Sequence, residues 1–314
     1  MSGISVIITY YKGENYIFNC IGTLVRSFEL SKKKLQLQVI VVIDSMEDAD
    51  YIVLEFKKRY LDLNLLIIRN AENIGVSKSR NIGLENIKYN FYTIMDQDDY
   101  VRDAYFSVLE NELSDHTAVH LINGAIRYAD QQIEIPIYHF APSFSFKSLI
   151  FQSTFIFTPG LVIFNKDLVP PKNLFLETSN QYKGCDDLAA YLNILKGEVE
   201  VRVKYIPADL FVYCLHNNNY SNNVEEMLFS YKSVIDHFEN DPQLSRQHRK
   251  LIDKVNVRYH FLYARKKLKV GIAKLIFGYP YQFFNHYLFS LKEKNRINRL
   301  IYWTRYKLKQ KGKI

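Results

Sequence analysis

Cysteine is scarce in this 314-residue chain, which has only Cys20, Cys185 and Cys214. An odd, scattered set builds no disulfide framework and gives no CxxC metal spacing, so a reducing compartment is expected. No GxGxxG follows the first apolar run and no GxxxxGK[ST] occurs, which argues against a dehydrogenase and a P-loop enzyme. No run of ~18 uninterrupted apolar residues exists, so a membrane-crossing helix is not expected. The opening MSGISVIIT has neither a basic region nor a sustained apolar stretch, and reads as a first strand and not a signal peptide. Acidic residues are almost missing from one end. Residues 245–314 hold 19 Lys+Arg against 2 Asp+Glu, whereas the remainder holds 22 basic and 31 acidic groups. The formal net charge of +8 thus belongs to a tail, whose expected partner is an acidic surface.

Hydrophobic residues make up 48% of the chain, enough for a sizeable core and too many for global disorder. Short apolar runs alternate with helical patterns: ISVIIT (4–9), QVIVVID (38–44), NLLII (64–68) and FYTIM (91–95) are separated by helices predicted over 14–28 and 48–60 and by a turn and helix over 73–88. Near-continuous apolar strands in that alternation predict an α/β fold with a mostly parallel central sheet covered by helices on both faces. Further on, the pattern predicts a helix at 103–113, a strand at 118–124, a hairpin at 126–137, and strands at 199–206 and 211–216. The Phe-dense segment 143–164 reads as core or as an acceptor-binding wall. From about residue 223 the pattern is helical.

In such sheets ligands bind beyond the carboxyl ends of the strands. Thr9 and Tyr10, Asp44, and Asp96 end three of the runs, so polar groups from three strands point at one crevice. Asp96-Gln97-Asp98-Asp99 puts three carboxylates directly after an apolar strand. Like charges that close raise one another's pKa unless a cation or hydrogen bonds hold them ionised. Hard oxygens suit Mg2+ or Mn2+, and the alternative is a solvated acidic loop. Asp186-Asp187 opens a helical pattern, where the macrodipole favours anions, and a plain N-cap is the competing role.

Six segments, in order, carry a resemblance: SVIITYYKGENYIFNCIGTL, VIVVIDS, NIGVSKSRNIGL, MDQDDY, GCDDLAAYL and YCLHNNNYS. The chain is similar over residues 3–222 to the family 2 glycosyltransferases of the GT-A fold, which use nucleotide-diphosphosugars and invert the anomeric centre. The resemblance implies that Thr9, Tyr10 and Tyr11 line the nucleobase pocket and that Asp44 accepts from the N3–H of uracil or thymine. Arg80 reaches the base or phosphates, and Asp96 holds the ribose. Asp98 binds the metal, with His216 as a second ligand near the diphosphate and Asp99 as neighbour or substitute. Asp187 is the catalytic base. Departures from the family pattern are Ile43 where a second acid is frequent, Asp186 in place of a glutamate, and Thr9 where a proline is common.

The implied activity is metal-dependent transfer of a sugar from a UDP- or TDP-sugar to a glycan or lipid-linked glycan acceptor, in bacterial surface polysaccharide synthesis. The rival is a catalytically inactive sugar-nucleotide-binding or scaffold protein of the same fold. A pyrophosphorylase would need a glycine-rich first loop, and Tyr10-Tyr11-Lys12-Gly13-Glu14 is not one. The expected domains are a catalytic 1–222 and a basic helical 223–314. In 294–309, Ile297, Leu300, Ile301 and Leu308 share one helical face with Arg299, Arg305, Lys307 and Lys309 off it, an amphipathic pattern suited to an anionic membrane surface or to packing on the catalytic domain. The first choice implies a peripheral position on the cytoplasmic face. No nucleic-acid module accompanies the charge, so nucleic acid is not an expected partner.

Overall fold

A computed structural model describes residues 2–253 and 255, apart from 48, 129–132, 153–155, 157, 177–183, 198–199, 217–218 and 221–222. The expected amphipathic helix at 294–309 lies outside the described residues. Two compact units form: Met1–Tyr138 with Ile156–Glu177 and Val201–Asn217, and a second made of His139–Phe155, Thr178–Glu200 and Asn218–Ile314.

The first unit holds one sheet. Its opening elements are β1 (Gly3–Tyr10), α1 (Glu14–Leu30), β2 (Gln36–Ile43), α2 (Ala49–Arg59), β3 (Leu65–Arg69), α3 (Val76–Glu85) and β4 (Phe91–Asp96). β3, β2, β1 and β4 lie in that order, all parallel. β1→β2→β3 steps one way along the sheet and β3→β4 steps back across it. Right-handed crossovers therefore put α1 and α2 on one face and α3 on the other. Burial explains why these runs are strands: Ile4, Val6, Ile7, Ile8 and Val39–Ile43 are fully buried. Each such side chain contributes roughly 1.5–3 kcal/mol when removed from water. α3 sits so close that a Cβ on Gly83 would come 2.4 Å from Ile7 Cγ2, so the approach itself selects glycine. The buried face of α1 is Ile17, Cys20, Ile21 and Leu24, with Tyr16 38% exposed.

The second half of the sheet is mixed. β5 (Tyr100–Val101), α4 (Tyr105–Glu112), β6 (Val119–Tyr128), β7 (Ile133–Pro136), β8 (Val162–Asn165) and β9 (Val203–Leu215) follow in the chain. β8 joins β4 to β6, and β9 runs parallel to the whole of β6 and pairs antiparallel with β5 on its other edge. β7 and β8 share the other edge of β6, one after the other. The two strands expected at 199–206 and 211–216 are one, β9, interrupted by a bulge where Ile122 and Asn123 face Ile206 and Asp209. Asn123 fills the gap: its Nδ2 donates to the carbonyls of Pro207 and Tyr138, and its Oδ1 accepts from the N–H groups of Tyr138 and Gly124. β6 likewise continues past 124 into the predicted hairpin.

His120, fully buried in β6, accepts a hydrogen bond at Nε2 from the Ser114 N–H at 3.1 Å. Burial, then the nearby Lys204 charge, pushes its pKa down to about 4. A proton on Nε2 would face a donor with a donor. Above pH ~6.5 the ring is neutral folded or unfolded. As pH falls from there toward 4 the unfolded chain takes a proton that the folded chain refuses, and stability drops. Denaturant titrations at pH 7.5 and 4.5 should differ by on the order of 2 kcal/mol from this residue. His120→Gln keeps an acceptor for Ser114 and should shrink the difference.

The second unit contains α5 (Phe146–Gln152), α6 (Asp186–Leu195) and α7 (Val224–Glu239). Phe144 lies edge-on to Tyr191, Phe146 edge-on to Phe238 and stacked on His248, and the Tyr231 hydroxyl donates to the Ile150 carbonyl. The Phe-dense segment supplies buried Phe144, Phe146 and Ile150 here, and Ile156 and Leu161 in the first unit. Phe144, Phe146 and Phe164 of the segment are core.

Candidate active site

The parallel strands end level with one another. Tyr10 is in register with Ile43, Ile43 with Arg69, and Thr9 with Asp96. The residues that follow therefore meet at one rim.

Asp44, 5% exposed, follows β2. Its Oδ1 accepts from Asn70 Nδ2 at 2.8 Å and the Ile74 N–H at 3.0 Å, and its Oδ2 from the Gly75 N–H at 3.0 Å. A carboxylate offers about four lone-pair directions, so one on Oδ2 is left for a ligand donor. Asn70 gives its other amide hydrogen to Ser79 Oγ. Gly75 has φ +89°, the left-handed region that glycine tolerates, and it lets the chain turn into α3 under Asp44. α3 carries Arg80, whose guanidinium is 2.6 Å from Asp96 Oδ1 and 5.1 Å from the centre of the Phe175 ring. Arg80 is 4% exposed, so it acts first as a pin on Asp96. Asn81 pairs its amide with both backbone groups of Phe175 and holds that ring in place.

Asp96-Gln97-Asp98-Asp99 forms a tight turn, with the Asp99 N–H donating to the Asp96 carbonyl. Its carboxylates have three different surroundings. Asp96 is partly exposed and held by Arg80. Asp98 Oδ2 is 2.8 Å from Nε2 of His216, the residue after β9, and the His216 ring stacks on Tyr16 with centroids 5.1 Å apart. Burial and the Asp96 charge push the Asp98 carboxyl above the usual range, against the His216 hydrogen bond that lowers it. Asp99 is fully buried, accepting from Thr158 Oγ1 at 2.7 Å and the Cys214 N–H at 2.9 Å. Burial, with Asp98 and Asp96 beside it, pushes its carboxyl well up. Both Asp99 oxygens are thus committed to the fold, which ties the turn to β9 and to the 3-10 turn Pro159–Leu161.

Of the aromatic rings expected at the nucleobase, Tyr11 is 47% exposed and Tyr10 fully buried, with Thr9 partly accessible between strands. Asp187 belongs to the second unit, in the first turn of α6; its Oδ1 accepts from the Leu188 N–H at 2.7 Å. Asp187 is half-buried and Asp186 7% exposed. Gly184, just before α6, has φ +87°, and a Cβ there would meet the side chains of Met227 and Tyr220.

Gln97, Tyr16, Asn70, Asn81 and Thr158 were not found by sequence reasoning. Gln97 had a positional signal, standing between the acids. Thr158 directly precedes Pro159-Gly160, a backbone break that carries no chemical signal.

Among the described residues no three or more His, Cys, Asp or Glu side chains group as a metal site. Asp98 and His216 still fit a divalent ion. A carboxylate oxygen and an imidazole nitrogen converge, and burial beside Asp96 leaves the Asp98 anion in need of a cation. Two protein ligands are typical where Mg2+ keeps waters and substrate phosphates.

The same architecture occurs in known proteins. TarS 1–349 of S. aureus superposes with a TM-score of 0.59 at 19% identity, covering 87% of this chain and 76% of that one. The mannosyltransferase PcManGT of Pyrobaculum calidifontis, solved with GDP-Man and Mn2+, superposes with a TM-score of 0.58 at 13% identity, covering 95% and 86%. These likenesses establish the GT-A fold. In sequence, the chain is 31% identical over 116 residues to glycosyltransferase GlyA of Streptococcus pneumoniae, covering 37% of this chain and 16% of that one. It is 24% identical over 228 residues to the poly(ribitol-phosphate) beta-glucosyltransferase of Bacillus spizizenii, covering 66% and 35%. The matched part is thus a minor share of each relative. The family model described as glycosyl transferase family 2 matches residues 5–170, more than half of the chain. The chain belongs to glycosyl transferase family 2.

Proposed function

We propose that this family 2 glycosyltransferase is an inverting enzyme. It moves a sugar from a UDP- or TDP-sugar to a hydroxyl of a glycan or lipid-linked glycan acceptor in bacterial surface polysaccharide synthesis. What supports this is the meeting at one rim of Asp44, the Arg80–Asp96 pair and the Asp98–His216 pair, from the ends of β2, β4 and β9. TarS has been solved with UDP-GlcNAc and with UDP, and PcManGT with GDP-Man and Mn2+.

The base lies against Tyr11 and gives its N3–H to Asp44. Asp96, oriented by Arg80, accepts from the ribose hydroxyls. Asp98 and His216 hold Mn2+ or Mg2+, which when bound neutralises charge developing on the departing diphosphate. Asp187 takes the proton of the acceptor hydroxyl as that oxygen attacks the anomeric carbon from the face opposite the diphosphate. The basic residues of 245–314 hold the enzyme on an anionic membrane. Truncation after residue 245 should abolish flotation with anionic liposomes, and a truncated chain that floats as well as the full one would reject that part.

A thermal-shift panel of nucleoside diphosphates, with and without Mn2+, tests the donor. At about 100 times Kd the binding diphosphate adds roughly 2.7 kcal/mol of stability, a shift of several degrees. UDP or TDP with Mn2+ is the expected hit. No shift from any diphosphate would reject the function. Binding without metal-dependent hydrolysis of UDP-sugars would favour the scaffold role.

A further inference from the structure

Gln97 stands between the residues proposed to hold ribose and metal, yet its side chain turns away from both. Its Oε1 accepts from the Tyr11 N–H at 3.0 Å and its Nε2 donates to the Tyr11 carbonyl at 2.9 Å. The amide thus serves both backbone groups of a residue 86 positions away, as a neighbouring strand would. The loop it grips needs gripping. Lys12 lies in the left-handed region at φ +47°, and its ammonium reaches Glu47 at 3.0 Å. Gly13 explains how the amide fits. Its φ of −120° suits any residue, but a Cβ there would fall 2.3 Å from the Gln97 amide carbon. Glycine at 13 is therefore required by the amide and not by its own backbone.

We propose that Gln97 is a positioning residue that locks the Tyr11 loop to the acidic turn, so that metal at Asp98 and nucleoside at Tyr11 strengthen each other's binding. This rests on the donor reading above. Its distinguishing consequence concerns a nucleoside without phosphates. Uridine gives Mn2+ nothing to bridge to, so any effect of Mn2+ on uridine affinity passes through the protein. Linkage makes the effect reciprocal.

The test is calorimetric titration of the full chain with UDP plus Mn2+, and with uridine in the presence and absence of Mn2+ (TDP and thymidine if those bind instead). In the wild type, Mn2+ should tighten uridine by about fivefold, the lower end of usual coupling. Gln97→Ala should bring that factor to one, with a melting temperature within about 2 °C of wild type, because the lost bonds are exposed and water replaces them. Gln97→Glu keeps the acceptor for Tyr11 N–H and loses the donor, and should retain part of the coupling. Gly13→Ala evicts the amide and should uncouple like Gln97→Ala. The double variant should be no worse than either, the non-additivity expected of one shared contact. If Gln97→Ala does not fold, Gly13→Ala carries the same measurement. Failure of both UDP and TDP to bind with Mn2+ would overturn the donor reading and this inference together. A diphosphate that binds, with nucleoside coupling absent from wild type or unchanged in the Gln97 and Gly13 variants, would overturn the lock alone.

Discussion

Asp187→Asn should cut sugar transfer by about 10²–10⁴-fold and leave the donor Kd within about twofold, because it removes a proton acceptor and little else. Asparagine has the same shape and keeps an oxygen to receive the Leu188 N–H, so the start of α6 should stand. The first turn of a helix favours an ionised carboxylate, which is the form a base needs. Accessibility favours the proposed choice between the two neighbouring acids: Asp187 is half-buried, whereas Asp186 is 7% exposed. Transfer rates under donor saturation, with donor titration alongside, check the split. An Asp187→Asn enzyme with wild-type turnover would remove the residue from the proposed chemistry. A loss shared equally between kcat and donor Kd would make it a structural or binding group instead.

The sequence makes the parallel half of the fold legible because both faces of β1, β2 and β4 are buried, so the apolar runs are unbroken and the strand ends stand out as the first polar residues. The same logic locates Asp44 and Asp96. It fails where polarity interrupts a strand without ending it. Pro207, Ala208 and Asp209 split the β9 pattern in two, and Asn123, on another strand, bridges the irregularity with its side chain. Contacts that bring a side chain to a distant backbone leave no periodic trace. Gln97 on Tyr11 and Asn81 on Phe175 are of this kind, and the side-chain contact of Thr158 with Asp99 leaves no more trace. Spacing could not rank the acids of the turn either. Asp99 is as acidic in sequence as Asp98, but its oxygens are turned to Thr158 and Cys214, so it braces the turn that presents Asp98.

That difference sets the second large effect. Asp98→Asn should abolish the Mn2+-dependent thermal shift and lower transfer on the order of 10³-fold, the scale of losing one aligned electrostatic group. The metal-free protein should move the opposite way. Asp98 is an anion that burial and the Asp96 charge both disfavour, against the His216 contact and a backbone hydrogen bond that favour it. Asparagine keeps a hydrogen-bonding oxygen for His216 and removes the buried charge, so the melting temperature without metal should rise by a few degrees, about 1–2 kcal/mol. Function and stability should pull apart at this position, because the proposed cation is what compensates a cluster of like charges. A decorative acidic loop would give neither sign: its aspartates are solvated, and exchanging one changes stability by less than about 0.5 kcal/mol. Thermal melts of wild type and Asp98→Asn, each with and without Mn2+, give all four values, and a variant no more stable than wild type without metal would contradict the account of the turn.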